Sequence, residues 1–445
     1  MNNNIGVIIP EILMPCEGVD YSKWAVVACD QYTSQPEYWE TVKKLVGEDK
    51  STLKLIYPEV YLEIPEEEIV KRINTINVAM KEYAKEGVLV PQKPGFIYSE
   101  RTTDHSGTRK GLMIAVDLER YDFSKDSKSL IRATEGTIIE RIPPRLRIRE
   151  HASIELPHIM LLIDDPDNTV LGIVTNMKKD LHKIYDFELM KNGGHIEGYK
   201  VDNEQVIESI IGALTDLADQ DAFMKKYDLK TKEDVLLFAV GDGNHSLATA
   251  KTHWENIKKN GTKEELANHP ARYALVELVN LHDEGLLMAP IHRILFNVNP
   301  EKTFELVLEA MEEAGSEVSY RDVNKSNSGI VSEDLQPNEF YFISEKFTRI
   351  ISIKDMKYTL VVSPVESFVG EYIKADAFVK VDYIHGDDVT VKLALKANNI
   401  GILLPPIIKN DLFKTVILEG KLPRKTFSMG EAHEKRYYLE AKKIL

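Results

Sequence analysis

A polar turn near the middle of the chain combines a carboxylate, an amide, an imidazole and a hydroxyl; it comprises Gly241, Asp242, Gly243, Asn244, His245 and Ser246. Its two glycines permit a tight turn and let a ligand approach the backbone. If a helix begins there, its free N–H groups and its dipole favour a bound anion. The alternative is a plain strand-to-helix connection in which Asn244 or Ser246 caps the helix. Four polar groups at the end of a strand favour a binding site.

A second polar cluster precedes this turn in the chain and is followed by a row of arginines. The cluster contains Thr134, Glu135, Gly136 and Thr137, and the arginines are Arg141, Arg145, Arg147 and Arg149. A glutamate in such a segment suits a general base or a metal ligand, and arginines can hold a phosphate group with two parallel hydrogen bonds. The alternative is a solvated loop whose charges pair with one another.

The sequence lacks the motifs of several common enzyme classes. It contains neither G-x-x-x-x-G-K-[ST] nor a G-x-G-x-x-G after a strand, and neither G-x-S-x-G nor H-E-x-x-H. These motifs mark P-loop enzymes, Rossmann dehydrogenases, α/β-hydrolases and zincins. The chain is therefore not expected to belong to any of these four classes.

The elements that must position the polar turn follow from hydrophobic periodicity. An apolar run over 235–240 predicts a buried strand that leads into the turn, and the residues after the turn predict a helix that extends to about Lys258. Strands and helices alternate irregularly along the whole chain. This pattern is typical of an α+β fold with mixed sheets.

Two hairpins and one loop are predicted between the two polar clusters. The hairpins combine strands 159–163 with 170–175 and strands 184–189 with 196–201. Residues 132–150 contain two consecutive prolines among many charges, which predicts a loop.

Composition restricts the class of protein. The chain has 445 residues, 29% of them charged and 43% hydrophobic, as in ordinary globular proteins. A formal net charge of −15 argues against general nucleic-acid binding. Two cysteines cannot form a disulfide framework, no apolar run is long enough for a membrane helix, and the N-terminus lacks a signal-peptide pattern. We therefore expect a cytoplasmic protein with no membrane partner; its oligomeric state stays open.

The polar clusters occur in an order that resembles one known family. The segments are, in chain order, Ile131–Thr137, Gly241–His245, Leu275–Asn280 with Gly285–Leu287, Pro290–Arg293 and Leu422–Thr426. Together they resemble the family called domain of unknown function 1015, whose members carry H-E-x-T, A-D-G-H-H-R, G-L-x-x-x-P-x-H-R and M-P-x-K-S-T segments. The resemblance covers nearly the whole chain. It implies a ParB/sulfiredoxin-like α+β core, related by fold to free serine kinases.

Individual residues follow the family pattern with three departures, the first being that Ala133 and Thr134 stand where the family's histidine is expected, just before Glu135. The matching positions are Glu135 and Thr137 in the first segment and Asp242, Gly243 and His245 in the turn. Asn244 replaces a histidine and Ser246 replaces an arginine. The turn therefore lacks a cation that would pair with a phosphate, and we expect Arg141, Arg145 or Arg293 to replace it.

The resemblance implies a nucleotide-dependent phosphotransferase, a kinase that acts on a small hydroxyl-bearing metabolite with ATP or ADP and Mg²⁺ as cofactors. In this scheme Glu135 is the base, His245 stabilises the phosphoryl oxygens and Asp242 holds Mg²⁺. The residues expected to bind the cofactor are Thr137, Arg141, Arg145, Gly241, Gly243, Asn244, Ser246, His292 and Arg293. Two alternatives stay open, a non-catalytic nucleotide- or metabolite-binding regulatory protein and a phosphate-ester hydrolase that uses the same pocket.

The predicted architecture has three regions. Residues 1–130 are expected to form an N-terminal α/β region, residues 131–300 the ParB-like core with the site, and residues 301–445 a C-terminal α/β region. The core is expected to contain mixed sheets, with the other two regions as extensions.

Overall fold

A computed structural model describes residues 4–323 and 334–445. The chain divides into two compact units. The first unit comprises Met1–Leu287 together with Gly430–Leu445, and the second comprises Met288–Met429. The second unit is thus inserted into the chain of the first.

The strands, in chain order, are β1 Val7–Ile8, β2 Leu13–Pro15, β3 Val26–Val27, β4 Leu89–Pro91, β5 Phe96–Thr103, β6 Gly107–Asp117, β7 Tyr121–Asp122, β8 Ile131–Ala133, β9 Ile154–Glu155, β10 Met160–Ile163, β11 His182–Leu189, β12 Gly194–Val201, β13 Phe238–Asp242, β14 Tyr273–Asn280, β15 Met288–Phe296, β16 Glu317–Asp322, β17 Glu339–Ser344, β18 Thr348–Lys354, β19 Lys380–His385, β20 Asn399–Leu403, β21 Phe427–Met429, β22 Tyr437–Tyr438 and β23 Lys442–Lys443.

The α-helices are α1 Tyr21–Trp24, α2 Pro36–Val46, α3 Glu66–Lys85, α4 Ile142–Arg149, α5 Leu171–Asn176, α6 Glu204–Leu217, α7 Gln220–Lys226, α8 Asn244–Lys258, α9 Lys263–Ala267, α10 Pro300–Glu312, α11 Val362–Ala375, α12 Asp387–Ala394 and α13 Lys409–Glu419. The mixture of helices and irregularly ordered strands confirms the predicted α+β class. None of the helices in 4–323 and 334–445 is both long and apolar enough to cross a membrane.

One large mixed sheet organises the first unit. Its strand order is β11-β12-β5-β6-β14-β10-β13-β8-β7, and β1 pairs with β6. Most neighbours are antiparallel, but β14 with β10, β13 with β8, and β8 with β7 are parallel. The predicted regional boundary at 130 falls between β7 and β8, which are neighbours in this sheet. The division into three regions stays a prediction.

The sheet carries a hydrophobic core on each face, because successive residues of a strand point to opposite sides. On β14, Leu275 packs into a core with residues of the N-terminal segment, such as Trp24 and Trp39. Its neighbour Val276 packs into the opposite core, with residues of α6 and α8 such as Ile210 and Trp254. The long runs of buried residues in the middle strands follow from this double covering.

Two sequence-based predictions of secondary structure between the two polar clusters are wrong. Residues 142–149 form helix α4 instead of a loop, because Pro143 lies in its first turn, where a missing N–H costs nothing. Residues 171–176 form helix α5 instead of a strand, and the Asp165 carboxylate accepts the Val170 N–H just before the helix begins. The second predicted hairpin is confirmed as β11 and β12.

The second unit contains an antiparallel sheet with the order β16-β18-β17-β20-β15-β19, and β21 also pairs with β15. Its core includes Ile294, Tyr341, Ile350 and Leu403. Helix α12 contributes Ala394 to the same core.

The segment Gly430–Leu445, named the return segment here, completes the first unit. Its strand β22 pairs with β3, and β23 pairs with β9. Arg436 forms buried ion pairs with Glu277 of β14 at 3.1 Å and with Glu440 at 2.5 Å. Burial acts to raise the pKa of Glu277, but Arg436 and Arg109 outweigh it and hold that pKa below its ordinary value. The Glu277 carboxylate therefore stays charged next to Arg436.

Replacing Arg436 with Met should destabilise the first unit strongly, because it leaves two buried carboxylates without their main counter-ion. Removing one partner of a buried ion pair costs about 3–5 kcal/mol. Urea denaturation of the full chain measures this free energy of unfolding. The control is Lys443→Met in the same segment, whose exposed ion pair with Glu11 is worth at most about 1 kcal/mol. Equal losses in both variants would contradict the structural role of Arg436.

Candidate functional site

Two parallel strands bring the predicted catalytic carboxylates to one edge of the large sheet. In the register of β8 and β13, Ile131 pairs with Phe238 and Ala133 with Val240. Glu135 follows the end of β8, and Asp242 is the last residue of β13. The Thr134 hydroxyl donates to the Val240 carbonyl at 2.6 Å and joins the two strand ends. Carboxyl ends of parallel strands are where open sheets commonly bind ligands.

The polar turn connects β13 directly to helix α8. Gly243 is the N-cap residue, and its φ of 77° is one that side chains disfavour. Asn244 is the first helical residue and Gly243 is the N-cap, so the alternative in which Asn244 or Ser246 caps the helix is wrong. The helix ends at Lys258 as predicted. The first N–H groups of an α-helix have no partner within the helix, and Gly243 has no side chain that could cap them.

His245 connects the two polar clusters. Its Nε2 accepts a hydrogen bond from the Ile138 backbone N–H at 3.1 Å. The segment after Glu135 therefore lies against the first turn of α8.

Two buried side-chain oxygens at this place have no hydrogen-bond partner among the described residues. They are Oγ1 of Thr137 and Oδ1 of Asn244. Buried polar atoms are nearly always satisfied, and an orphan at a candidate site calls for a ligand or ordered water. One orphan belongs to each polar cluster, and the hydrogen bond from Ile138 to His245 joins the two clusters.

Asp242 is held as a charged carboxylate. Its Oδ1 accepts the Gly243 N–H at 2.8 Å, and its Oδ2 lies 3.2 Å from Lys435 Nζ. Burial acts to raise the pKa of Asp242. The electrostatic effects of Lys435 and His158 outweigh burial and hold this pKa below its ordinary value. Mg²⁺ commonly binds one or two carboxylates together with substrate phosphates. Asp242 fits that requirement, since each oxygen retains a second lone pair.

Sequence reasoning missed His158 and Tyr438 near the turn. His158 lies two residues before β10, the antiparallel neighbour of β13. Its Nδ1 is 2.8 Å from the Tyr438 hydroxyl, and its Nε2 is 3.7 Å from Asp30 Oδ2. Neither residue lies in a motif or has a local signal, because the sheet pairing and the return segment bring them here.

Several predicted cofactor-binding residues have other partners. Arg145 pairs with Glu59 at 2.5 Å, and Arg141 is exposed at the start of α4.

His292 and Arg293 belong to the second unit, on β15. There His292 Nε2 is 2.8 Å from Asp387, and Arg293 pairs with Glu366 at 3.0 Å. The His292 and Arg293 side chains are buried, whereas the carboxylate partner of His292 is exposed. Of the outer residues of the polar turn, Gly241 lies in β13 and Ser246 lies in the first turn of α8.

Replacing Gly243 with Ala should destabilise the chain and disturb the turn. An added Cβ would lie 3.0 Å from the Ile159 Cα, and the positive φ is strained for any side chain. We expect a loss of about 1–3 kcal/mol in the free energy of unfolding. The matched control is Gly212→Ala in the exposed face of α6, where nothing lies within 4 Å of an added Cβ. That change should stabilise by about 0.5–1 kcal/mol, and a loss at Gly212 as large as that at Gly243 would refute the argument.

Comparison with known proteins gave a family and a set of distant structures. A conserved hypothetical protein from Pyrococcus furiosus has 11% identity, a TM-score of 0.32, and covers 74% of this chain and 90% of its own. A free serine kinase in complex with AMP has 9% identity and a TM-score of 0.35, and covers 75% and 92%. A variant of a free serine kinase in complex with ADP has 9% identity, a TM-score of 0.37 and the same coverage.

None of the curated proteins compared with the chain matched it. The family model described as "Protein of unknown function (DUF1015)" matches residues 13–372, and the chain therefore belongs to that family.

Proposed function

We propose that the protein is a nucleotide-dependent phosphotransferase that acts on a small hydroxyl-bearing metabolite. One observation carries the proposal. The carboxyl ends of β8 and β13 bring Glu135 and Asp242 to the start of α8, next to the orphaned oxygens of Thr137 and Asn244. A carboxylate base, a helix start and unsatisfied hydroxyl and amide groups are what a phosphate and an acceptor alcohol require.

Each of these groups has a separate role in the proposed transfer of a phosphoryl group from ATP to the acceptor. The acceptor oxygen attacks the terminal phosphorus of ATP, a new O–P bond forms, and the bond from that phosphorus to the bridging oxygen breaks. The electron pair of that bond leaves with ADP, and the acceptor proton passes to the Glu135 carboxylate. Phosphoryl transfer is catalysed mainly by positioning and charge stabilisation. The start of α8 and the His245 side chain are proposed to contact the phosphoryl oxygens.

Asp242 is the residue that would hold Mg²⁺, which arrives with the nucleotide and neutralises phosphate charge when bound. The nucleotide itself is proposed to contact the turn residues, with Thr137 and Asn244 satisfied by ligand groups. The ParB/sulfiredoxin-like core implied by the sequence belongs to this same proposal. A small metabolite and a nucleotide are the proposed partners, and the acidic net charge opposes general nucleic-acid binding.

The first experiment measures thermal unfolding with ATP, ADP, AMP and no nucleotide, each with and without Mg²⁺. A ligand at a hundred times its Kd stabilises by about 2.7 kcal/mol. Turnover is then followed by product detection over a panel of small alcohols and hydroxy amino acids. Nucleotide binding with no consumed acceptor would support the regulatory alternative. Phosphate release without transfer to an acceptor would support the hydrolase.

Replacing Glu135 with Gln should retain nucleotide binding and reduce turnover. Loss of a general base typically costs about 10²–10⁴-fold in rate. Calorimetry gives the nucleotide Kd, and single-turnover assays give the rate of transfer. The control is Glu140→Gln, an exposed glutamate of the same segment, which should leave both unchanged. Wild-type turnover by Glu135→Gln would exclude Glu135 as the base.

A further inference from the structure

The return segment delivers a cation to the candidate site. It begins at Gly430, beyond the residues 13–372 that the family model matches. Lys435 Nζ lies 3.2 Å from Asp242 Oδ2, and the side chains are 17% and 28% exposed. No motif of the polar turn contains this lysine, since 192 residues separate it from Asp242 in the chain.

The backbone on both sides of Lys435 is fixed by buried groups. The guanidinium of Arg101, which is 4% exposed, donates to the carbonyls of His433, Glu434 and Lys435 at 2.6–2.9 Å. The next residue, Arg436, is held by its two buried ion pairs. The Lys435 side chain therefore starts from a backbone with little freedom, which is a property of pre-organised sites.

Glu434 fixes the preceding position. Its carboxylate accepts the hydroxyls of Thr103 at 2.5 Å and Ser106 at 2.8 Å, and the backbone N–H of Glu431 at 2.8 Å. Burial acts to raise its pKa, but these hydrogen bonds outweigh burial and lower the pKa to about 2. The carboxylate is therefore charged at neutral pH and retains all these bonds.

Two of the three arginines predicted to bind phosphate are paired with other carboxylates. Arg145 is paired with Glu59, and Arg293 is paired with Glu366 in the second unit. Lys435, by contrast, contacts the turn itself. An ammonium group is a compact charge with three donors and suits a phosphate oxygen as well as a carboxylate.

We propose that Lys435 is a phosphate-binding residue of this site, with Asp242 as the positioning residue that aims its ammonium group at the ligand. The inference rests on the proposed function, because it assumes that a polyphosphate occupies the space next to the turn. It makes the site composite: the turn supplies backbone donors, and the return segment supplies the cation. A nucleoside diphosphate or triphosphate is the ligand class, since it presents adjacent anionic phosphates to both.

The experiment measures the Kd of ADP and of inorganic pyrophosphate by calorimetry at matched low salt. The wild type should bind both probes. Lys435→Met should weaken both about tenfold or more, the loss expected for a charge-assisted hydrogen bond to phosphate. Lys435→Arg, which keeps the charge, should recover most of that loss. Lys443→Met removes the same charge from an exposed position of the same segment and should leave both Kd values unchanged.

Protection from lysine modification tests the wild-type chain directly, in case the variants fold poorly. ADP should slow reductive methylation of Lys435 at least severalfold and leave Lys443 unaffected, as measured by mass spectrometry. If the wild type binds the probes but Lys435→Met binds them equally well, or ADP does not protect Lys435, the inference is overturned and the proposed function stands. If the wild type binds neither probe, the proposed function fails and the inference with it.

Discussion

The candidate site depends on two strands that run side by side in the same direction within a largely antiparallel sheet. Antiparallel neighbours place the carboxyl end of one strand next to the amino end of the other. The parallel pair β8 and β13 instead places two carboxyl ends together. Thr134 then bonds to Val240 across the gap, and the Ile138 N–H bonds to His245. Residues far apart in sequence thereby share one edge, and helix α8 begins at that edge.

Buried charge explains how the return segment finds a single position. Arg436 between Glu277 and Glu440 is costly to bury, and such a triad contributes little net stability compared with apolar residues. Its geometric requirement is strict, however, because a shift of one residue along the segment would leave charges without partners. Arg101 donates hydrogen bonds to consecutive backbone carbonyls of the segment. These bonds also fix the register, because a shift of the backbone would break them. Polar groups thus determine the register of the segment. The packing of Tyr437, Tyr438 and Leu439 in the hydrophobic core attaches the segment to the rest of the first unit.

Local signals in the sequence predicted local structure well. The apolar run before the turn, the helix that ends at Lys258 and the hairpin of β11 and β12 all depend on neighbours in sequence. The errors came from signals with two physical meanings. A proline breaks a helix interior but is tolerated in its first turn, as at Pro143, and a short apolar run such as 170–175 suits a buried helix as well as a strand.

The parts of the site that sequence could not supply are those made by distant residues. His158 reaches the turn through strand pairing, and Lys435 through the return segment, so neither has a recognisable spacing to Asp242. Arginine was the better phosphate candidate by residue type alone, yet Arg145 is paired with Glu59. Pairing of this kind depends on the tertiary fold, which the order of residues along one segment does not reveal.

The insertion of the second unit into the first has a consequence during biosynthesis. A ribosome makes the chain in order, so all of Met288–Met429 must be synthesised before the return segment appears. At about 5–20 residues per second this delay is on the order of ten seconds. During that time β3 and β9 lack their partners β22 and β23, and Glu277 lacks Arg436. The first unit to begin folding is therefore the last to be completed.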